Sequence, residues 1–231
     1  MDIIHSINEP KEYSKTDFTY EEFVEVHQNE MFDVSMQYPI LGMKNAVNKC
    51  MMRKEVYNLL CKASLKLPKG FKFKILDAWR PFELQKELYI EYSEKIIKEF
   101  KLEALCNEER EKFIRKFVSI PVLDRKLPPV HTTGGAVDLT IIDSNGKELD
   151  MGTSFDAFTE KTYTAYFENG DNNIIRDNRR LLHNTMCEAG FTNLPSEWWH
   201  YDYGDRFWAF YNNKPAIYEG VFTLEELYEK H

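Results

Sequence analysis

The 231-residue sequence lacks any uncharged apolar run of the ~20 residues that a helix needs to cross a bilayer. Its amino-terminal stretch also lacks the apolar core of a secretory signal. There is no surplus of positive charge, since 30 Lys+Arg against 38 Asp+Glu leave a formal net charge of −8. A protein that binds by neutralising nucleic-acid phosphates needs a basic face. These absences predict a cytoplasmic protein whose partners are neither membranes nor nucleic acids.

Cysteine is sparse and shows no pattern. The cysteines form no C-x-x-C pair and have no histidine at ligand spacing; they are Cys50, Cys61, Cys106 and Cys187. This excludes a zinc finger and predicts reduced, packed thiols. Repeats, low-complexity tracts and Pro/Gly/Ser-rich linkers are missing as well. We therefore expect one domain over residues 1–231, with roughly the first 25 residues peripheral.

Hydrophobic periodicity and turn residues predict helices that alternate with a few short strands. Helices are predicted over Asn48–Leu65, from Pro81 to about Ala104, and over Asn173–Ala189, the last capped by Gly190. Strands are predicted over Phe71–Ile75, in the second half of 131–142, and over 197–203. Residues 108–116 are predicted to form a charged connection. Such a mixture with hairpin turns indicates an α+β fold and not a parallel sheet with crossover helices.

Two of the six histidines stand near suitable acidic residues. His131 precedes Asp138 by seven residues, with two glycines between them that let the backbone turn, and His200 follows Glu197 by three. Two imidazoles and one carboxylate match the ligand count of a catalytic zinc, which leaves a position for a water whose pKa falls toward ~7. Glu197 would then be the unliganded carboxylate that takes a proton from that water.

Each part of this pattern also has a simple structural interpretation. A single histidine is usually a satisfied core residue, an acidic residue at a strand start is usually a cap, and E-x-x-H arises by chance. A globular protein without metal therefore remains open on these residues alone.

Five blocks, in order, resemble the D-alanyl-D-alanine dipeptidases, the VanX type of zinc peptidase. They are Cys50-Met51-Met52-Arg53, Asp77-Ala78-Trp79-Arg80-Pro81, His131-x-x-Gly134-x-Ala136-x-Asp138, Met151-Gly152-Thr153-x-Phe155-Asp156 and Glu197-Trp198-Trp199-His200. The resemblance extends from about Tyr38 to Tyr203, most of the chain. It implies a central antiparallel sheet flanked by helices, with a zinc site on the sheet.

The resemblance also implies a reaction, namely hydrolysis of D-Ala-D-Ala or a related D,D-dipeptide with one Zn²⁺ per chain and zinc-bound water as the nucleophile. The implied roles are metal ligand for His131, Asp138 and His200, general base and acid for Glu197, transition-state stabilisation for Arg80, and binding of the free amino end for Asp156 and Tyr38. A fixed guanidinium aimed at a developing oxyanion supplies preorganised charge. A carboxylate that faces an ammonium selects a free amino terminus, and so a dipeptidase.

One position departs from the family pattern. The family usually has serine two residues before the first histidine ligand, where this chain has Pro129. The change removes a hydroxyl donor near the substrate and stiffens the approach to His131, so the dipeptide preference is left open. Also open are a D,D- or L,D-carboxypeptidase acting on cell-wall peptides and a non-catalytic zinc-containing module that binds peptides. The biological use (vancomycin resistance, cell-wall peptidoglycan recycling or nutrition) and the oligomeric state stay open too.

Overall fold

The computed structural model describes residues 1–11 and 13–229; Glu12, Lys230 and His231, which the predicted domain includes, lie outside the described residues. In chain order the strands are β1 (Phe23–Val26), β2 (Phe32–Val34), β3 (Cys50–Arg53), β4 (Lys72–Asp77), β5 (Ala136–Ile142), β6 (Thr192–Asn193) and β7 (His200–Asp202). The helices are α1 (Gln37–Ile40), α2 (Lys54–Ser64), α3 (Phe82–Glu99), α4 (Asn107–Ile114), α5 (Asn173–Ala189) and α6 (Arg206–Asn212). Short 3₁₀ turns connect several of them.

A five-stranded sheet, in the order β2-β4-β5-β7-β6, forms the centre of the fold. Its neighbours pair antiparallel except for β2 and β4, which run parallel. A separate two-stranded ribbon joins β1 to β3. The predicted α+β class is confirmed, and the central sheet is antiparallel apart from that one pair.

The two faces of the sheet differ in character because side chains alternate along each strand. From β5, Val137, Leu139 and Ile141 are fully buried in the main core, together with apolar residues of α2 and α5 such as Leu60 and Met186. The other face of the same strand carries Asp138 and Thr140. This second face is where polar chemistry can be placed on a rigid support.

Two sequence predictions need correction. The helix predicted from Asn48 begins only at Lys54, because Cys50–Arg53 is strand β3, paired with β1. All four side chains of β3 are buried, and a short run that is buried on both faces has no period that separates strand from helix. The charged connection predicted over 108–116 contains helix α4, with Glu108 and Glu109 in its first turn, where the helix dipole favours negative charge.

Helix α5 forms as predicted, from Asn173 to Ala189, with Gly190 ending it at a φ of +111°. Its Arg179 is buried and donates to the carbonyl oxygens of Met151, Tyr163 and Lys161. A buried guanidinium that donates to these carbonyls, and to that of Thr164 at 3.5 Å, ties the loop between β5 and α5 to the core. That loop carries Asp156.

The amino-terminal segment packs on the carboxy-terminal elements. Thr16 forms a parallel bridge with Ala216, and Tyr13 and Phe18 pack against a cluster that includes Trp208. Within residues 1–11 and 13–229, no helix combines the length and apolar character needed to span a membrane.

Candidate metal centre and active site

Strand register brings the acidic and histidine residues of the sheet into one row. Asp138 on β5 is paired with Asp77 on β4 on one side and with His200 on β7 on the other. Directly opposite residues of antiparallel strands point to the same face, with their β-carbons about 5 Å apart. The site therefore forms on the polar face of the sheet, where each side chain is held by a strand.

His131 reaches this row from the 3₁₀ turn Val130–Thr133, just before β5. Its Nδ1 lies 2.8 Å from the carbonyl oxygen of Ala78. The two following glycines are required by space and conformation. Gly134 has a φ of +74°, and a β-carbon on Gly135 would lie 2.4 Å from the carbonyl oxygen of Tyr203.

The three predicted metal ligands come together, with ligand atoms that all lie within 4.8 Å of one another. Nε2 of His131 is 3.1 Å from Nδ1 of His200, which is 3.0 Å from Oδ1 of Asp138. All three side chains are buried. Burial by itself would raise the pKa of Asp138, but the two imidazoles outweigh it and hold that pKa well below its usual value.

The outer hydrogen bonds show that this donor set fits a divalent cation. A carbonyl oxygen only accepts, so Nδ1 of His131 carries the proton and Nε2 presents a lone pair to the cluster. Nε2 of His200 lies 2.8 Å from Oδ1 of Asp202, so that carboxylate holds a proton on Nε2, and Nδ1 is the nitrogen that can bind a cation. Two imidazole lone pairs and a carboxylate facing each other in a buried space are a zinc-type ligand set.

Asp202 was not identified from the sequence, although it stands two residues after His200 on β7. Behind it lies Asp205, whose carboxylate caps α6 by accepting from the backbone N–H groups of Phe207 and Trp208. Burial, and next the charge of Asp202, raise the pKa of Asp205 well above its usual value. The alternation of His200 and Asp202 on one strand was the available signal, because residues i and i+2 share a face.

We expect Asp202→Asn to weaken zinc binding about 10- to 100-fold, because the carboxylate that orients a liganding imidazole and raises its basicity is lost. Competition with a chromophoric chelator measures this. Asp17→Asn, at an exposed aspartate, is the matched control. Unchanged zinc affinity in Asp202→Asn would show that the carboxylate has no orienting role.

Arg80 is buried beside the three ligands and held by two partners. Its Nε and Nη2 each lie 2.7 Å from Oδ2 of Asp77, and its Nη1 donates to Oε1 of Gln85 at 3.2 Å. Nη2 also lies 3.6 Å from Oδ2 of Asp138. Burial alone would lower the pKa of Arg80, but Asp77 and the other charges nearby raise it above its usual value, so the cation is permanent.

Glu197 occupies the turn before β7, with its Oε2 3.9 Å from Nδ1 of His200. Its side chain is 23% exposed, whereas those of His200 and Asp138 are almost fully buried. Burial raises the pKa of Glu197 to about 8. A divalent cation at the three ligands would lower it again by direct charge attraction.

Asp156 lies across the same cavity and receives two phenol groups. Its Oδ2 accepts from Tyr38 at 2.9 Å and from Tyr92 at 2.7 Å. Burial raises the pKa of Asp156 to about 6, against the lowering effect of these hydrogen bonds. The backbone of Asp156 is left-handed, with a φ of +56°, a conformation that aspartate tolerates better than most residues.

Tyr92 was missed in the sequence. It belongs to the apolar stripe of α3, where it stands four residues from Leu88 and from Ile96. Such a position is typical of a core aromatic residue. A hydroxyl between the aliphatic residues Leu88 and Ile96 was the available signal, because a buried phenol needs a hydrogen-bond partner.

The structure brings all of the sequence-predicted site residues to one cavity. Its lining includes Tyr38, Arg80, His131, Asp138, Asp156, Glu197 and His200. Pro129 lines the same cavity, at the position where the family pattern has serine.

Comparison with known proteins agrees with this arrangement. A family model described as D-ala-D-ala dipeptidase matches residues 36–218, which contain all of these cavity residues. The chain belongs to this family. The match covers well over half of the sequence, from α1 to the segment after α6.

Two curated relatives carry the same description. A D-alanyl-D-alanine dipeptidase of Synechocystis is 29% identical over 154 residues, which are 61% of this chain and 62% of the relative. The enzyme of that name from Escherichia coli is 30% identical over 155 residues, 67% of each chain. The chain thus spans about three fifths to two thirds of the length of these relatives.

Among solved structures, VanYB in complex with D-alanine-D-alanine is similar at a TM-score of 0.43. The two sequences are 15% identical, and the likeness covers 75% of this chain and 84% of VanYB.

Proposed function

We propose that this protein is a zinc-dependent dipeptidase that hydrolyses D-Ala-D-Ala or a related D,D-dipeptide. The observation that carries the proposal is the convergence of His131, Asp138 and His200 with Glu197 on one side and Asp156 across the cavity. The relatives named as D-alanyl-D-alanine dipeptidases support the choice of substrate. A zinc ion held by the three ligands would supply Lewis-acid polarisation of a water and of the scissile carbonyl.

Two residues next to the metal ligands have the remaining catalytic roles, proton transfer and stabilisation of the oxyanion. Glu197 accepts the proton of the attacking water and delivers it to the leaving amine, since it is the partly exposed carboxylate next to the ligands. Arg80, held by Asp77 and Gln85, donates to the oxyanion that develops on the carbonyl oxygen. Because its cation is fixed before substrate arrives, no reorganisation is needed during the reaction.

The amino end of the substrate is the second element of the proposal. Asp156 is kept in place by Tyr38 and Tyr92 and faces the cavity, so its carboxylate can pair with the ammonium of a free dipeptide. An acylated amine would bring no charge to this carboxylate. This favours a dipeptidase over a carboxypeptidase that acts on longer peptides.

The direct test is amine release by the zinc-loaded protein from D-Ala-D-Ala, L-Ala-L-Ala and N-acetyl-D-Ala-D-Ala. We expect hydrolysis of the free D,D-dipeptide alone. Cleavage of only the acetylated compound would identify a carboxypeptidase. If the zinc-loaded protein hydrolyses none of the three compounds, a peptide-binding module is indicated.

Asp156→Asn should lower kcat/KM for D-Ala-D-Ala about 10- to 100-fold, mainly through KM, because a charge-assisted contact to the ammonium is lost. Burial raises the pKa of Asp156 to about 6, so the carboxylate loses its charge, and KM rises, as the pH falls through that value. KM also rises as the pH increases through ~8, the usual pKa of an α-amino group, because the substrate ammonium loses its charge there. In Asp156→Asn, KM should no longer rise as the pH falls through about 6. If the KM of the variant depends on pH as that of the wild type does, Asp156 is not the site that binds the amine.

A further inference from the structure

A second cavity adjoins the metal cavity and is walled by aromatic rings. It has an empty volume of about 690 Å³, including its opening to solvent. We call it the aromatic cavity, because the aromatic residues that line it are Phe100, Phe113, Phe117, Phe158, Tyr163 and Trp199. Exposed Lys116 and Glu160 stand at its edge. The cavity therefore has a mainly aromatic wall, with charged side chains at its outer edge and, as Asp156 and Glu197, on the side of the metal cavity. Such a combination is typical of a site that binds an apolar group next to a few polar contacts.

The walls form a connected set of rings. Phe100 stacks on Phe117 with ring centres 5.4 Å apart, and Phe113 lies 4.9 Å from Phe100. Phe158 links Phe117 to Tyr92, at 5.9 and 5.3 Å. Each of the four phenylalanines stays partly exposed although the set is tightly packed. When a ligand covers apolar surface that faces a cavity, water is removed from that surface and binding becomes more favourable.

The aromatic cavity meets the metal cavity at three shared residues: Asp156, Glu197 and Phe117. In the proposed reaction Asp156 holds the substrate ammonium and Glu197 acts at the scissile carbonyl. In the substrate, the α-carbon of the amino-terminal residue is bonded to both the ammonium nitrogen and the scissile carbonyl carbon. This α-carbon therefore lies near the residues that the two cavities share, so its side chain is within reach of the aromatic cavity.

We propose that the aromatic cavity is the subsite for the side chain of the amino-terminal residue, and that the preferred substrates are dipeptides whose first residue is large and apolar. The inference rests on the proposed dipeptidase function and specifies its substrate class. A methyl side chain leaves the cavity to water, whereas a benzyl or isobutyl group covers its walls. Burial of such a group corresponds to about 10-fold or greater preference.

Binding tests this without depending on turnover. Zinc-loaded Glu197→Gln, which keeps the shape of the side chain, is titrated calorimetrically with D-Phe-D-Ala, D-Ala-D-Ala and D-Ala-D-Phe. We expect D-Phe-D-Ala to bind at least tenfold more tightly than D-Ala-D-Ala, and D-Ala-D-Phe to gain nothing comparable. Equal or weaker binding of D-Phe-D-Ala would overturn the inference.

Wall variants localise the effect. Phe113 lines the aromatic cavity but not the metal cavity, so Phe113→Ala should cost D-Phe-D-Ala most of its advantage while kcat/KM for D-Ala-D-Ala stays within about twofold. Phe210→Ala, at a partly buried ring on α6, is the matched control. Loss of activity on both dipeptides in equal proportion would indicate a structural effect of Phe113 and count against the subsite.

The two proposals can fail separately. Hydrolysis of D-Ala-D-Ala without any preference for D-Phe-D-Ala removes the subsite and leaves the dipeptidase. Selective binding of D-Phe-D-Ala, with no dipeptide hydrolysed by the wild type, supports the subsite and removes the enzyme proposal. Neither binding nor hydrolysis overturns both.

Discussion

Glu197→Gln is expected to lower kcat for D-Ala-D-Ala about 10³-fold while zinc content and dipeptide binding stay close to those of the wild type. Glutamine has the same shape but cannot accept the proton of the attacking water, and a positioned general base contributes about 10² to 10⁴ in rate. The partial exposure of Glu197 beside His200 is the structural reason for this choice. Steady-state kinetics with metal analysis on the same samples measures both properties.

The matched control is Glu30→Gln, at an exposed glutamate. It should match the wild type in rate and in zinc content. If Glu197→Gln loses its zinc, the carboxylate serves the metal and not proton transfer. If its rate stays within about threefold of the wild type, another group is the base.

Arg80→Lys is expected to lower kcat/KM about 10²- to 10³-fold, mostly in kcat, because removal of one preorganised donor to an oxyanion has effects of that order. Lysine keeps the positive charge opposite Asp77. It cannot reproduce the guanidinium fork, which bonds Asp77 and Gln85 while its Nη2 stays near Asp138. The loss should therefore appear in the reaction step and only weakly in substrate binding.

A structural effect of this variant is separated by two further measurements. The melting temperature of Arg80→Lys should fall by only a few degrees, because the buried pair with Asp77 keeps both charges while the hydrogen bond to Gln85 is lost. Zinc affinity should also be unchanged. A rise in KM with an unchanged kcat would reassign Arg80 to ground-state binding of the substrate.

Local sequence patterns predicted much of the scaffold. Helix α5 has clear apolar periodicity, an asparagine cap and a terminal glycine, and its bounds are those expected. Strand β3 was mistaken for helix, because a strand buried on both faces carries no alternation. Helix α4 was missed because its composition is mostly charged and its stripe is weak.

The residue types of the site could be predicted from the sequence, because the candidate metal ligands and the general base lie in short motifs, one of which contains glycines. Their convergence was decided by strand register, which places Asp138 opposite His200 across more than 60 residues of sequence. The contact of Tyr92 with Asp156 joins residues 64 positions apart, so no local spacing encodes it. Asp202 shares a strand face with His200, but only the fold shows that its carboxylate bonds the imidazole.

The sequence by itself therefore determined the family, the α+β class and the residue types for metal ligation and proton transfer, since these depend on local composition and spacing. Only the tertiary structure decided which groups hold the two imidazoles, how Arg80 is held and where the aromatic cavity opens. The physical reason is that hydrogen-bond partners and cavities are made by residues far apart in the chain, whose distances are set by sheet register and helix packing.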